Sequence, residues 1–452
     1  MKRYKWLLGC CLFLSIGMLW AADEPDLRML QQKAAQSRDM EGYVGVCKYL
    51  YQTEENPELL LLYADSIHQL ATKSKKPEQL VEYYIWASEG NFIKGDFQQG
   101  YALKRKAIAL AEKAGLKFAI SQSCCDMGYY CNVDARYDSA RYYFRKGLEA
   151  GEDLSEAGEA CRTMLTNYAS SFLFEGKTDS ALVYTIRASE RSAADKDTAM
   201  LIENLNQLGT IYRRKKDLEN CIANFEQALH LCELRGNHNA VAFIYGNIAT
   251  AYCDWNRPGD AIPFSEKAVE YALKTGNKRR IGTCYVNLGA IQTRLVQMRA
   301  EGIATLLKAI PILEEVNDRR LLCDAYNYLV NAYRMDGNLN QAMYYLQKLD
   351  KLAHEMQTDA ERFRYYQAKA GLLQESKKYT EAIVYYRRII DMLRSGYKDT
   401  RDYEHYKRLA DCYLAVNNSS QAYEYLTQAY ALRDSAFHTE QTEQLSEYSV
   451  KY

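Results

Sequence analysis

Four side-chain amides stand 40 residues apart in this chain: Asn167, Gln207, Asn247 and Asn287. An amide carries donors and an acceptor, so a ladder of amides can satisfy the backbone of an extended peptide laid along it. The same side chains can equally bond within the scaffold, between neighbouring elements. The ladder breaks at the next step, where Tyr328 takes the corresponding place and Asn327 is one residue out of register. Four arginines, Arg213, Arg214, Arg294 and Arg334, lie a turn or more beyond the amides. Their guanidinium forks suit carboxylates on an acidic peptide or a chain terminus. The plainer reading is solvated arginine with its stem lying along a helix end.

No comparable set of residues exists for making or breaking bonds. The six histidines (His68, His230, His238, His354, His405 and His438) are far apart and form no HExxH arrangement. There is no GxSxG elbow and no phosphate-cradling glycine loop; Gly276-Asn277-Lys278 reads as a helix end. Without a CxxC pair or a Cys/His cluster, structural zinc is not expected. A carbohydrate site is disfavoured too: no carboxylate pair stands out, and two of the four tryptophans, Trp6 and Trp20, fall at the extreme N-terminus. The expectation is therefore of no catalytic residue, no metal and no cofactor: a binding protein and not an enzyme.

The elements that position the amides are helical hairpins. Residues 205–231 read LNQLGTIYRRKKDLENCIANFEQALHL. Leu205, Leu208, Gly209 and Tyr212 share one face of a first helix, and Cys221, Phe225 and Ala228 form a stripe on a second. The small residue of the first helix recurs as Ala169, Gly209, Ala249, Gly289, Val330, Ala370 and Ala410, at spacings of 40, 40, 40, 41, 40 and 40. Its partner in the second helix recurs as Ala140, Ala181, Cys221, Ala261, Gly302, Ala342, Ala382 and Ala422. A tyrosine precedes the first-helix small residue by four at Tyr245, Tyr285, Tyr326, Tyr366 and Tyr406. Gly236-Asn237 and Gly276-Asn277 are placed for left-handed helix ends.

A Leu-Gly pair, an aromatic three residues on, a small residue, an aromatic and then Ala, in that order, resembles the tetratricopeptide repeat (TPR), with Cys221 in place of the usual Ala. The resemblance implies an all-α fold, a right-handed TPR superhelix of about eight to ten helical hairpins. It also implies that first helices line a concave groove toward which Asn167, Gln207, Asn247 and Asn287 point. TPR proteins of the kinesin light chain type, with similar long repeats, use such asparagines to grip peptides. One hairpin cannot bury its own face, so stacking of neighbours is required.

Residues 1–21 read as a signal peptide, with Lys2, Arg3 and Lys5 before an apolar run and Ala21-Ala22 offering a cleavage site. Leu19 is not ideal for a cut after Ala21, which leaves an uncleaved anchor as the alternative; Leu7-Leu8-Gly9-Cys10 resembles a lipoprotein box only superficially. Residues 22–116 read as an irregular helical N-terminal cap of degenerate hairpins, with helices at 40–51, 58–72, 79–89 and 97–114. The solenoid proper is expected over 117–436, and 437–452 as a polar helix or tail. Cleavage removes three positive charges, leaving 55 basic against 58 acidic residues and a net charge of −3. That balance gives no reason to expect nucleic-acid binding. Thirteen cysteines become eleven, an odd and scattered set that reads as buried free thiols.

A leader, many long TPR hairpins and a polar, Tyr-containing tail are similar to the periplasmic sensor region of TPR-containing membrane-bound regulators from Bacteroides-type bacteria. In that family a membrane span and a LuxR-like or histidine-kinase output follow; neither is present before Tyr452. The resemblance implies an exported, periplasmic or envelope-associated protein that binds a protein or peptide as the sensing part of an envelope signalling system. The alternative is a stand-alone periplasmic adaptor or scaffold for envelope assembly. Membrane contact is expected only through an uncleaved leader or a C-terminal extension.

Overall fold

A computed structural model describes residues 27–434 apart from 54–55, 357, 398 and 400–401. The leader expected at 1–21 and the tail expected at 437–452 lie outside the described residues. Within them every regular element is helical, as expected of an all-α repeat. The chain opens with α1 (Leu27–Ser37), α2 (Met40–Thr53), α3 (Pro57–Ser74), α4 (Pro77–Lys94) and α5 (Phe97–Ala114). It continues through α6 (Lys117–Val133), α7 (Tyr137–Gly151), α8 (Gly158–Phe174), α9 (Thr178–Ala194), α10 (Thr198–Arg214), α11 (Leu218–Leu234) and α12 (His238–Asp254). Then come α13 (Pro258–Thr275), α14 (Lys278–Arg294), α15 (Arg299–Glu315), α16 (Arg319–Met335) and α17 (Leu339–Leu352). Last are α18 (Asp359–Glu375), α19 (Tyr379–Arg394), α20 (Asp402–Ala415) and α21 (419–434). From α2 onward, even-numbered helices are first members of hairpins and odd-numbered ones are second members. The helices expected at 40–51, 58–72, 79–89 and 97–114 correspond to α2 to α5.

A two-residue device ends one helix and starts the next. A residue in the left-handed conformation stops the helix, and an Asp or Asn after it accepts from a backbone N–H of the following first turn. Lys196, Lys216, Gly236, Asn256 and Gly276 are all left-handed, 20 residues apart. Asp197 then caps α10 through Met200 N, Asp217 caps α11 through Asn220 N, and Asn277 caps α14 through Arg280 N. Glycine sits at Gly236 and Gly276 because a side chain there would oppose the positive φ; Lys196 and Lys216 adopt it at a small cost.

The chain divides into two compact units on either side of Ala251–Tyr252, within α12. In the first unit one core gathers Leu60, Ile85 and Ala107, and another Met127, Phe144 and Met164. In the second, Leu306, Leu329 and Leu346 form one core and Tyr386, Ile389 and Leu409 another. The small repeat residues are all buried where their register demands it, among them Ala140, Ala169, Ala181, Cys221, Val330, Ala342, Ala370 and Ala382 at 0 % exposure. A Cβ on Gly209 would come within 2.6 Å of the Phe225 ring, and Gly128 is filled by Phe144 in the same way. Where the first helix carries Ala169, the matching second-helix residue is the smaller Thr185. In these hairpins a smaller first-helix residue is met by a larger second-helix side chain, as dense packing requires. Within each unit, first helices of consecutive hairpins touch (α2 with α4, α6 with α8, α8 with α10; α14 with α16, α16 with α18), whereas second helices make no comparable contact. The first helices therefore form the inner face.

Candidate functional site

Helical geometry assigns three jobs to α10. Leu208, Gly209 and Tyr212 face its partner α11, and Met200, Asn204 and Ile211 face back toward α8 and α9. At 100° per residue this leaves Glu203, Gln207, Thr210 and Arg214 on one strip of the inner face. The boundary with α8 is polar. The Thr166 hydroxyl lies 2.9 Å from Asn204 Oδ1, and Asn204 Nδ2 donates to Ser192 Oγ at 3.1 Å. Gln207 Nε2 donates to Ser170 Oγ at 2.9 Å, and Arg214 Nη1 donates to the Leu173 carbonyl at 2.7 Å. Arg162 on α8 pairs with Asp197 and Asp195 at 2.8 and 3.0 Å. On the other side, Asn247 Nδ2 donates to Asn206 Oδ1 at 2.7 Å.

Glu203 differs from these neighbours. It is half-buried and has no hydrogen bond or ion pair among the described residues. Loss of solvent around it, with a smaller contribution from the charge of Asp197, pushes its carboxyl up to about 7.

Nearer the N-terminus the inner face is acidic with a buried cation beneath it. Lys104 of α5 is 0 % exposed; its ammonium bonds the Glu89 carboxylate and lies 2.9 Å from Asp126 Oδ2. Tyr130 OH donates to the other Glu89 oxygen at 2.7 Å. Glu89 is nonetheless raised, because burial outweighs the Lys104 charge. Lys104 is raised as well, since attraction to Asp126 and Glu89 overcomes its own desolvation. Two carboxylates around one ammonium leave the cluster short of one positive charge. One turn before Glu89, Trp86 Nε1 donates to Glu82 at 2.9 Å, and burial raises Glu82.

The second unit also carries arginine on its first helices. Asn287 and Arg294 are exposed, and Arg294 reaches the Cys253 thiol. Arg364 pairs with Asp324 at 2.8 Å beside Tyr328, whose hydroxyl is raised by burial and by Asp324. Arg334 bonds Glu375 and its guanidinium lies over Gly371, where an added Cβ would stand 3.5 Å away. His405 is buried between Gln367 at 3.1 Å and Asp399 at 2.9 Å, and burial lowers it.

The amides singled out by spacing therefore have different surroundings. Gln207 and Asn247 bond neighbouring first helices. Asn167 and Asn287 leave their side-chain amides without a partner among the described residues, Asn167 half-buried and Asn287 exposed. Of the arginines, Arg214 holds a carbonyl and Arg334 a carboxylate, Arg294 is exposed against a thiol, and Arg213 is half-buried with an interaction of its own. Spacing alone missed Glu203, Asp126, Lys104, Asp324 and Arg364. Glu203 could have been found as the residue one turn before Gln207 on the same strip. No group of three or more His, Cys, Asp or Glu among the described residues is placed to hold a metal ion. No described helix is long and apolar enough to cross a membrane.

Comparison with known proteins agrees with the architecture. Residues 200–274 match the tetratricopeptide repeat family. A signal-transduction ATPase with a tetratricopeptide repeat sensor from Pyrococcus horikoshii has a similar fold, at 15% identity and a TM-score of 0.53, over 87% of this chain and 55% of that one. The apo quorum sensor NprR from B. thuringiensis aligns at 16% identity and a TM-score of 0.48, over 72% of this chain and 92% of its own. A tetratricopeptide repeat protein from Parabacteroides merdae aligns at 15% identity and a TM-score of 0.45, over 64% and 98% of the two chains. No curated protein matches the sequence.

Proposed function

We propose that this chain is a non-catalytic TPR-type protein that holds a protein or peptide segment along the inner faces of its first helices. One observation carries the reading. The inner face of the first unit presents Asn167, Gln207 and Asn247 at one register and that of the second presents Asn287, and several polar atoms on these faces have no partner among the described residues. The Asn167 and Asn287 amides, the Glu203 carboxylate and Gln207 Oε1 are of this kind. Such atoms on a helical scaffold suit a ligand rich in backbone N–H and C=O groups. The N-terminal basic-then-apolar segment supports export, and with it the sensing or interaction part of an envelope signalling system; a stand-alone periplasmic adaptor is the alternative.

Binding of the purified chain to an array of short peptides of randomised sequence tests the central claim. Asn167→Ala and Asn287→Ala are expected to weaken binding of the selected peptides severalfold without moving the melting temperature. No binding to any peptide would refute the reading. Cell fractionation tests the setting: a membrane-bound species heavier than residues 22–452 supports the sensor, a soluble periplasmic species of that mass the adaptor, and a cytoplasmic protein neither.

A further inference from the structure

The strip Glu203, Gln207, Thr210 and Arg214 has an imbalance that follows from its hydrogen bonds. The Ser170 hydroxyl donates to the Thr166 carbonyl at 3.0 Å, so toward Gln207 its oxygen can only accept. The amide nitrogen of Gln207 must therefore face Ser170, which leaves Oε1 buried with no donor. Thr210 donates its proton to the Asn206 carbonyl at 3.1 Å and has none to offer the strip. Glu203, one turn before Gln207, has no donor either. The charged group that acts on it is Asp197, of like sign and already held by Arg162 at 2.8 Å. Arg214 cannot make up the deficit. It lies three turns further on, about 16 Å along the axis, with Nη1 on the Leu173 carbonyl. With Glu203 ionised, as it is above about pH 7, the half of the strip nearer the helix start therefore accepts only, and one of its two acceptors carries a charge.

We propose that Glu203 and Gln207 form a seat for a lysine or arginine side chain of the bound polypeptide, a proposal that rests on the peptide-binding reading above. Water or a backbone N–H could satisfy the amide oxygen, but neither offsets a desolvated carboxylate. An ammonium or guanidinium does both, because it carries the charge and has donors enough for two acceptors one turn apart. A bare metal ion is a poor occupant, since hard cations take six or more oxygens and protein ligands are few here.

The test uses the full chain and the peptides selected from the random array. Each is resynthesised with single lysines changed to norleucine, single arginines to citrulline, or the amino terminus acetylated. One basic side chain is expected to dominate, its neutralisation weakening binding about tenfold or more. Glu203→Gln should cut that dependence to a severalfold effect or less. Gln207→Leu should reduce it severalfold, with the melting curve reporting any loss through Ser170. A dependence that persists undiminished in Glu203→Gln, or peptides that bind with no dependence on any basic side chain, would overturn the seat and leave peptide binding intact. A dependence on the free amino terminus alone would overturn the side-chain assignment. Failure of every peptide to bind would overturn the seat together with the reading it rests on.

Discussion

Glu203→Gln should stabilise this protein, by an amount that grows as pH rises from about 4.5 to about 7 and is complete above that. In the folded chain the carboxyl of Glu203 sits at about 7, against an ordinary value of 4.5, chiefly through loss of solvent. A carboxyl raised on folding is protonated in the native state while the unfolded state has already released its proton. Stability therefore falls as pH rises from about 4.5 to about 7, and the full cost is in place above that. The gap corresponds to about 3 kcal/mol. Water reaching a half-buried side chain reduces this to about 1–2 kcal/mol. Glutamine has the shape of the protonated acid and never ionises. Urea unfolding at pH 4 should thus give nearly equal stabilities for the wild type and Glu203→Gln. At pH 8 the variant should be the more stable by about 1–2 kcal/mol. A difference that does not change with pH would refute the reasoning. A loss of stability at pH 8 would do so more sharply, by showing that the native carboxylate has a cationic partner after all.

Gly209→Ala brings a methyl group within 2.6 Å of the buried Phe225 ring and should destabilise by about 1–3 kcal/mol, less the gain in helix propensity. The double variant with Phe225→Thr, which copies the Ala169 and Thr185 combination, should recover part of that loss in a denaturation cycle; strict additivity of the two changes would argue against this matching of side-chain sizes. Lys104→Met leaves Glu89 and Asp126 without their buried cation and should cost about 3–5 kcal/mol at pH 7, with partial rescue by Glu89→Gln. A mild loss without rescue would show that the cluster is better hydrated than its burial indicates. Ten of the eleven described cysteines are buried, and burial pushes thiols such as Cys47 and Cys124 up to about 12. A chain starting at residue 22 should therefore expose one slowly reacting thiol, Cys253, to a thiol reagent in native buffer and eleven in denaturant; two or more promptly reacting thiols in native buffer would contradict this.

Much of the scaffold is legible in the chain because it repeats. A small residue every 40 positions is a packing demand, and Ala169, Cys221, Val330 and Ala382 meet it with complete burial. The joints are legible for a chemical reason: Lys216-Asp217, Gly236-Asn237 and Gly276-Asn277 each pair a left-handed stop with a capping side chain. Asn256 escapes this reading, because a left-handed asparagine leaves no mark as plain as glycine. Lys104 escapes it altogether. Its partners Glu89 and Asp126 are 15 and 22 residues away on two other helices, and nothing periodic ties them together.

The binding face is harder to read for a further reason. A polar residue facing the next first helix and one facing a ligand can occupy the same register, so spacing cannot separate them. Gln207 shows that the two roles can belong to one side chain. Its nitrogen is fixed on Ser170, and that bond is what turns the unpartnered oxygen away from Ser170, on the strip it shares with Glu203 one turn before. A free amide would rotate and satisfy itself with water, whereas an anchored one presents an acceptor in a constant direction. The bond between hairpins therefore prepares the inner face for a donor. For the same reason Ser170→Ala, which touches neither acceptor, should loosen Gln207 and weaken binding of a basic peptide, although Glu203 is unchanged.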